Sequence, residues 1–164
     1  MLMSGALICN SFMHSGSTID TFLRMNLPWM GGSTFYAKFS ASASLGAIHH
    51  GHRDKGRNVL SRFLPAEESL GQKLSDPYSL GGGCYGLGLV HCAKGAGSRD
   101  SVQFLRRALE SVLGQSDQIA FHEPFIHGAC LGLGLASFGV DDVLQCGLKS
   151  ETNSTVELFK NCNV

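Results

Sequence analysis

The segment Gly81–Gly95, GGGCYGLGLVHCAKG, constrains the fold of this chain more than any other. It is strongly apolar, yet glycine recurs at every second or third position along its first half. Glycine inside a helix costs about 1 kcal/mol relative to alanine. Gly83, Gly86 and Gly88 would together cost roughly 2–3 kcal/mol unless another contact offsets the loss. Two readings compete: a glycine-rich cradle for phosphate, or helices packed so closely that side chains have to be absent.

A search for internal repeats favours packing. SLGAIHHG at Ser44–Gly51 has a counterpart in GLGLVHCAKG at Gly86–Gly95, and a third in GLGLASFG at Gly132–Gly139. NSFMHSG at Asn10–Gly16 is a fainter copy. Aligning His14, His49, His91 and Ser137 gives periods in the range of helix-pair solenoids, about 33–47 residues. Gly46, Gly88 and Gly134 then fall at one repeat position and Gly86 and Gly132 at another, with Gly83 just upstream. Gly51, Gly95 and Gly139 mark the turns.

A more polar helical signal follows each copy. STIDTFLRMNLPW places Ile19, Phe22, Leu23 and Leu27 at helical spacing behind Ser17 or Thr18 as N-cap. DKGRNVLSRFLP carries Val59, Leu60, Phe63 and Leu64 and stops at Pro65. SRDSVQFLRRALESVLG puts Val102, Leu105, Leu109, Val112 and Leu113 on one face, with Gly114 as the stop. VDDVLQCG starts the same pattern and fades. The unit is thus an apolar, glycine-rich inner helix, a tight turn and an amphipathic outer helix, with loops at 66–80 and 115–125. The expected architecture is all-α: a solenoid of about four helix pairs over 5–146, followed by a divergent tail at 147–164. Gly88 and Gly134 are both expected at close contacts between inner helices.

Charge narrows the function classes. Charged residues make up 16% of the 164-residue chain, against roughly 25% in ordinary soluble domains. Thirteen basic residues balance thirteen acidic ones, so no field points to nucleic acid or an anionic membrane. The apolar runs at 80–93 and 126–140 fall short of the 18 or so residues that a span needs. Six cysteines without an export signal read as reduced thiols.

TIDTFLRMNLPW, AKFSASASLGAIHHGH, GGGCYGLGLVHCAKG and HGACLGLGLASFG together resemble the proteasome/cyclosome-repeat scaffold subunits of the proteasome regulatory particle. The resemblance runs from about Gly5 to Cys146. It implies an α-helical toroid of helix pairs, of which this chain would form an arc, since known members are far longer. It also implies a non-catalytic scaffold for ubiquitin-dependent degradation, with other regulatory-particle subunits as partners, no cofactor, and residence in cytoplasm and nucleus. The related scaffold subunit of the anaphase-promoting complex is the alternative within the same class.

A small metal- or nucleotide-dependent enzyme is the alternative of a different class. Gly81–Gly86 spells GxGxxG, but the segment before it contains Pro77 and Asp100 comes too soon after it for a dinucleotide fingerprint. His49, His50 and His52, with Cys84, His91 and Cys92, invite a metal reading. His14, His49 and His91 recur at one repeat position, which instead suggests a structural role against the last carbonyls of the inner helices. Cysteine and histidine are present, but no local catalytic signature surrounds them. Arg106, Arg107 and Glu110 read as a solvated helix face open to a partner. Apolar residues at both ends lead us to expect that the isolated chain self-associates.

Overall fold

The computed structural model describes residues 2–66, 74–93, 95–114 and 119–138. Among these, all regular structure is helical. Four inner helices are α1 (Leu2–Met13), α4 (Tyr36–Ile48), α6 (Pro77–His91) and α8 (Ile119–Ser137). The outer layer holds α2 (Thr21–Met25), α3 (Leu27–Gly31), α5 (Arg53–Leu60) and α7 (Arg99–Leu113). Short 3-10 turns at Ser61–Phe63 and Gly95–Ser98 extend α5 and lead into α7. The inner helices pack in chain order, α1 on α4, α4 on α6 and α6 on α8. From the outer layer, α5 lies against α4 and α6, and α7 against α8. The stretch after Phe138 that carries Gly139, the fading fourth outer helix and the tail lies outside the described residues.

The two helix types differ as their sequences dictate. On α7 the buried residues Ser101, Phe104, Leu105, Ala108, Leu109 and Val112 form one stripe, as an amphipathic surface helix requires. Val102 and Leu113, expected on this face, are only half-buried, while Phe104 and Ala108 are buried on it. Ten of the fifteen residues of α6 are buried, on all its sides, because it has inner helices on both flanks and outer elements behind.

Asp76 starts α6. Its carboxylate accepts from Ser79 N–H at 3.3 Å and Ser79 Oγ–H at 2.9 Å, and Lys38 of α4 reaches it at 3.0 Å. Pro77 at the first helical position gives up no needed N–H. Burial works against the Asp76 charge, but the bonds from Lys38 and Ser79 outweigh it and hold the carboxyl below its usual range.

Four expectations need correction. The first outer element is two short helices, not one: Asn26 separates α2 from α3, its N–H turning back to Leu23 O at 3.2 Å. Pro28 is the cause, since its nitrogen cannot donate to the carbonyl one turn back in α2 and its ring crowds that carbonyl, whereas a proline in the first turn of a new helix gives up no needed bond. The residue capping α2 is Asp20, not Ser17 or Thr18, and Ile19 is exposed. The loop expected at 115–125 is largely helix, because α8 begins at Ile119 and runs through Pro124. Pro124 is the sixth residue of α8, past the first turn, so it removes the bond that an N–H there would give to the Ala120 carbonyl, and the helix continues regardless. The loop expected at 66–80 likewise ends early, where Pro77 begins α6.

Candidate functional site: the glycine seam between inner helices

Gly81, Gly82 and Gly83 are successive residues of α6 and therefore point about 100° apart around its axis. Each meets a different neighbour. A Cβ on Gly81 would overlap the Pro124 carbonyl of α8, and one on Gly82 the Phe39 carbonyl of α4. One on Gly83 would overlap the Phe63 carbonyl in the turn after α5. The run is glycine because three backbones approach the helix at one level. That convergence also removes the phosphate-cradle reading of this segment: the space beside the glycines holds carbonyl oxygens, which repel phosphate.

The repeat positions form a register along the stack. Gly46 of α4 faces forward onto Gly86 of α6, and Gly88 of α6 faces forward onto Gly132 of α8. In both pairs a Cβ on the forward glycine would overlap Cα and the carbonyl of its partner. Two residues before each forward position lies a backward one, Ser44, Gly86 or Gly132. On α4 that residue is Ser44, whose hydroxyl donates to Leu7 O of α1 at 3.3 Å. A second tier lies four residues earlier, where Gly82 meets Phe39 and Gly128 meets the Gly81 carbonyl. Gly134 occupies the forward position of α8, but nothing lies within 4 Å of an added Cβ there. The expectation of a close contact at Gly134 is therefore not met: among the described residues no inner helix follows α8.

The turns tie successive repeats together. Gly16 and Gly51 adopt positive φ, 69° and 81°. Gly16 N–H donates to Ala47 O of α4 and Gly51 N–H to Val90 O of α6, each at 3.1 Å. In the third repeat the corresponding residue is Ala93, with φ 57°, while Gly95 lies two residues further on and opens the 3-10 turn. A left-handed conformation costs an L-residue about 1–2 kcal/mol. Ala93→Gly should therefore leave the protein as stable or stabilise it by up to about 1 kcal/mol, after the entropy of a freer unfolded chain. Urea denaturation of the variant checks this; a clear loss of stability would contradict the assignment of Ala93 as the turn residue.

Histidines divide by position. His49 ends its helix as expected, with Nδ1 3.0 Å from Leu45 O. His14 follows α1 directly and its N–H donates to Asn10 O at 3.1 Å. His50 and His52 do more than the sequence suggests: Nδ1 of His50 lies 2.7 Å from Leu89 O, and Nε2 of His52 3.0 Å from Gly16 O. A carbonyl only accepts, so those nitrogens carry the protons. The HHGH run is thus a staple between adjacent turns, with these ring nitrogens committed to backbone. Only its repeat spacing relative to Gly16 and Leu89 could have signalled that role.

His91 departs from expectation, because neither of its buried ring nitrogens has a hydrogen-bond partner. Burial, then Arg53 and Arg57, push its pKa below the ordinary 6.5, with Asp100 and Asp54 opposing. The unfolded chain takes up this proton near pH 6.5 while the folded chain resists it, so the stability contribution of neutral His91 is lost as pH falls below that value. Stability should drop between about pH 7.5 and 5.5, and the drop should shrink in His91→Gln. Melting curves across that range test it; equal slopes in both proteins would remove His91 as the cause. Cys84, fully buried nearby, has its thiol pushed up by desolvation and is a poor thiolate.

The seam as a whole is a surface for holding backbone against backbone. On α7, Arg106 Nε donates to Glu110 at 2.8 Å across one helical turn. No helix among the described residues is long and apolar enough to cross a membrane.

No family model matches the chain. It is 45% identical over 139 residues to 26S proteasome non-ATPase regulatory subunit 1 homolog B of Arabidopsis thaliana, a match covering 85% of this chain and 13% of that protein. Against 26S proteasome regulatory subunit RPN2 of Saccharomyces cerevisiae the identity is 39% over 132 residues, 80% of this chain and 13% of that protein. For 26S proteasome non-ATPase regulatory subunit 1 of Drosophila melanogaster it is 41% over 136 residues, 83% and 12%. The chain thus spans about an eighth of the length of the curated relatives it matches. Over most of its own length the chain is thus similar to one short segment of the 26S proteasome non-ATPase regulatory subunit 1 proteins.

Proposed function

We propose that this chain is a non-catalytic scaffold segment, an arc of a repeat toroid in the base of the proteasome regulatory particle. In this reading it holds other regulatory-particle subunits in place during ubiquitin-dependent degradation, in cytoplasm and nucleus. The observation that carries the reading is the glycine seam, in which the most unusual residues of the chain are spent on helix-to-helix contact. That use suits a rigid curved support and leaves those residues no chemistry. The names of the relatives, all regulatory subunits of the proteasome, favour this reading over a scaffold of the anaphase-promoting complex. Cytoplasmic and nuclear residence, four repeats over 5–146, and the absence of enzymatic activity belong to the same proposal.

Affinity capture of the tagged chain from its source cells, followed by mass spectrometry, tests it. The expected result is enrichment of regulatory-particle subunits over a control in which Gly88→Val disrupts the stack. Recovery of anaphase-promoting-complex subunits instead, or equal recovery with both proteins, would overturn the assignment.

A further inference from the structure

At the starting ends of the inner helices, aromatic rings at the head of α4 and α6 meet a carboxylate of α8. Tyr78 is the hub: the Phe35 ring stands 5.7 Å from it at 79°, and the Tyr36 ring 5.2 Å from it at 83°. Tyr36 Oη–H donates towards both oxygens of Glu123, at 3.4 and 3.5 Å. Burial, then the Glu123 charge, hold the Tyr36 phenol above its usual range, so it stays a neutral donor. Among the described residues Glu123 has no cationic partner, and Lys38 of α4 is taken by Asp76 at 3.0 Å. Packing explains part of the cluster, since Phe39 is buried and its ring stacks on Tyr85 at 6.0 Å. It does not explain Phe35, which is 67% exposed yet has φ 49° and ψ −130°. Phe35 is the first corner of a turn closed by Ala37 N–H to Thr34 O at 3.1 Å, the type II′ geometry that takes glycine there. A side chain at that corner strains the backbone, and a mostly exposed ring offsets little of it by burial. What the strain does secure is the ring's place beside Tyr78.

We propose that Phe35, Tyr36, Tyr78 and Glu123 form a receiving site for a lysine side chain of a partner protein segment. Aromatic faces carry negative quadrupole charge and attract a cation within about 6 Å of the ring centre. Phe35 and Tyr36 both stand nearly perpendicular to Tyr78, so the rings make a corner rather than a flat platform. A compact ammonium can touch more than one wall of a corner, while a planar guanidinium stacks best on a single face. Glu123 supplies the countercharge beside that corner, one carboxylate for one cation. The positive ends of α4 and α6 oppose a cation here; Glu123 and the Asp76 carboxylate at the start of α6 offset them. The residues come from three separate stretches of sequence, so the site exists only when α4, α6 and α8 are stacked in register. In the scaffold reading, the lysine belongs to a subunit that the arc holds.

The test titrates the whole chain with a capped glycine–lysine–glycine peptide and follows the ring protons of Tyr36 and Tyr78 by nuclear magnetic resonance. The same peptide with norleucine, which lacks the ammonium, is the control, and one with arginine is the third arm. The lysine peptide should bind about tenfold tighter than the norleucine peptide, and tighter than the arginine peptide. Glu123→Gln should remove most of that preference and leave norleucine binding unchanged. Phe35→Gly carries a second readout: it should weaken lysine binding yet melt at the same or a higher temperature, because glycine relieves the turn. A lower melting temperature for Phe35→Gly would show that the ring is kept for packing and would overturn the proposal. Equal shifts from lysine and norleucine, lysine affinity unchanged in Glu123→Gln, or tighter binding of arginine would also contradict it. The titration uses the chain by itself, so its failure is distinguishable from a failure to capture proteasome subunits from cells.

Discussion

Gly88→Val is expected to destabilise the protein by about 3 kcal/mol, the upper end of what overpacking costs. The first added carbon would overlap Cα and the carbonyl of Gly132, which are backbone atoms and cannot rotate aside as a side chain would. Relief requires α6 and α8 to separate, which also loosens the second tier where Gly128 meets Gly81. Gly134 supplies the internal control. It holds the same repeat position but faces open space, so Gly134→Ala should stabilise α8 by up to about 1 kcal/mol through helix propensity alone. Denaturant midpoints of the two variants, measured against wild type, should move in opposite directions. Movement in the same direction would mean that α8 is not seated on Gly88.

Phe125→Ala is expected to cost about 3–5 kcal/mol, the range for removing a large aromatic side chain from a core. Phe125 is fully buried on α8, on the helix turn where Gly81 approaches Pro124 and Phe125. Glycines at the seam bring backbones together but contribute little apolar area of their own. The stack therefore depends on a few large residues placed between the glycine contacts, and Phe125 is the largest of the fully buried ones. Phe125→Leu should recover much of the loss. Calorimetric melting distinguishes the cases; a fall in melting temperature of only a degree or two for Phe125→Ala would show that α8 is held mainly by other contacts.

Much of this architecture is legible in the sequence, because it is written in periodicity. The polar-apolar alternation of residues 99–113 specifies an outer helix, and GLG recurring at Gly86–Gly88 and Gly132–Gly134 specifies where backbones meet. What periodicity does not carry is direction. Gly81, Gly82 and Gly83 read from the sequence as close helix packing, but not as the place where three separate elements converge. Gly134 repeats Gly88 in sequence but not in surroundings, since a repeat position makes its contact only against a following inner helix, and none follows α8 among the described residues. Asn26 and Pro28 show local chemistry overriding a helical pattern, and Pro124 shows tertiary packing overriding a loop signal. His50 and His52 read as candidate ligands from sequence because their carbonyl partners, Leu89 and Gly16, lie 39 and 36 residues away.

Inner helices that touch backbone to backbone at paired glycines bring α-protons of different helices together. Nuclear Overhauser contacts between those protons measure the seam most directly. Cross-peaks are expected from Gly46 to Gly86 and from Gly88 to Gly132, with strengths comparable to sequential contacts. Glycine α-protons that show contacts only within their own helix would contradict the seam and, with it, the stacked repeat reading of this chain.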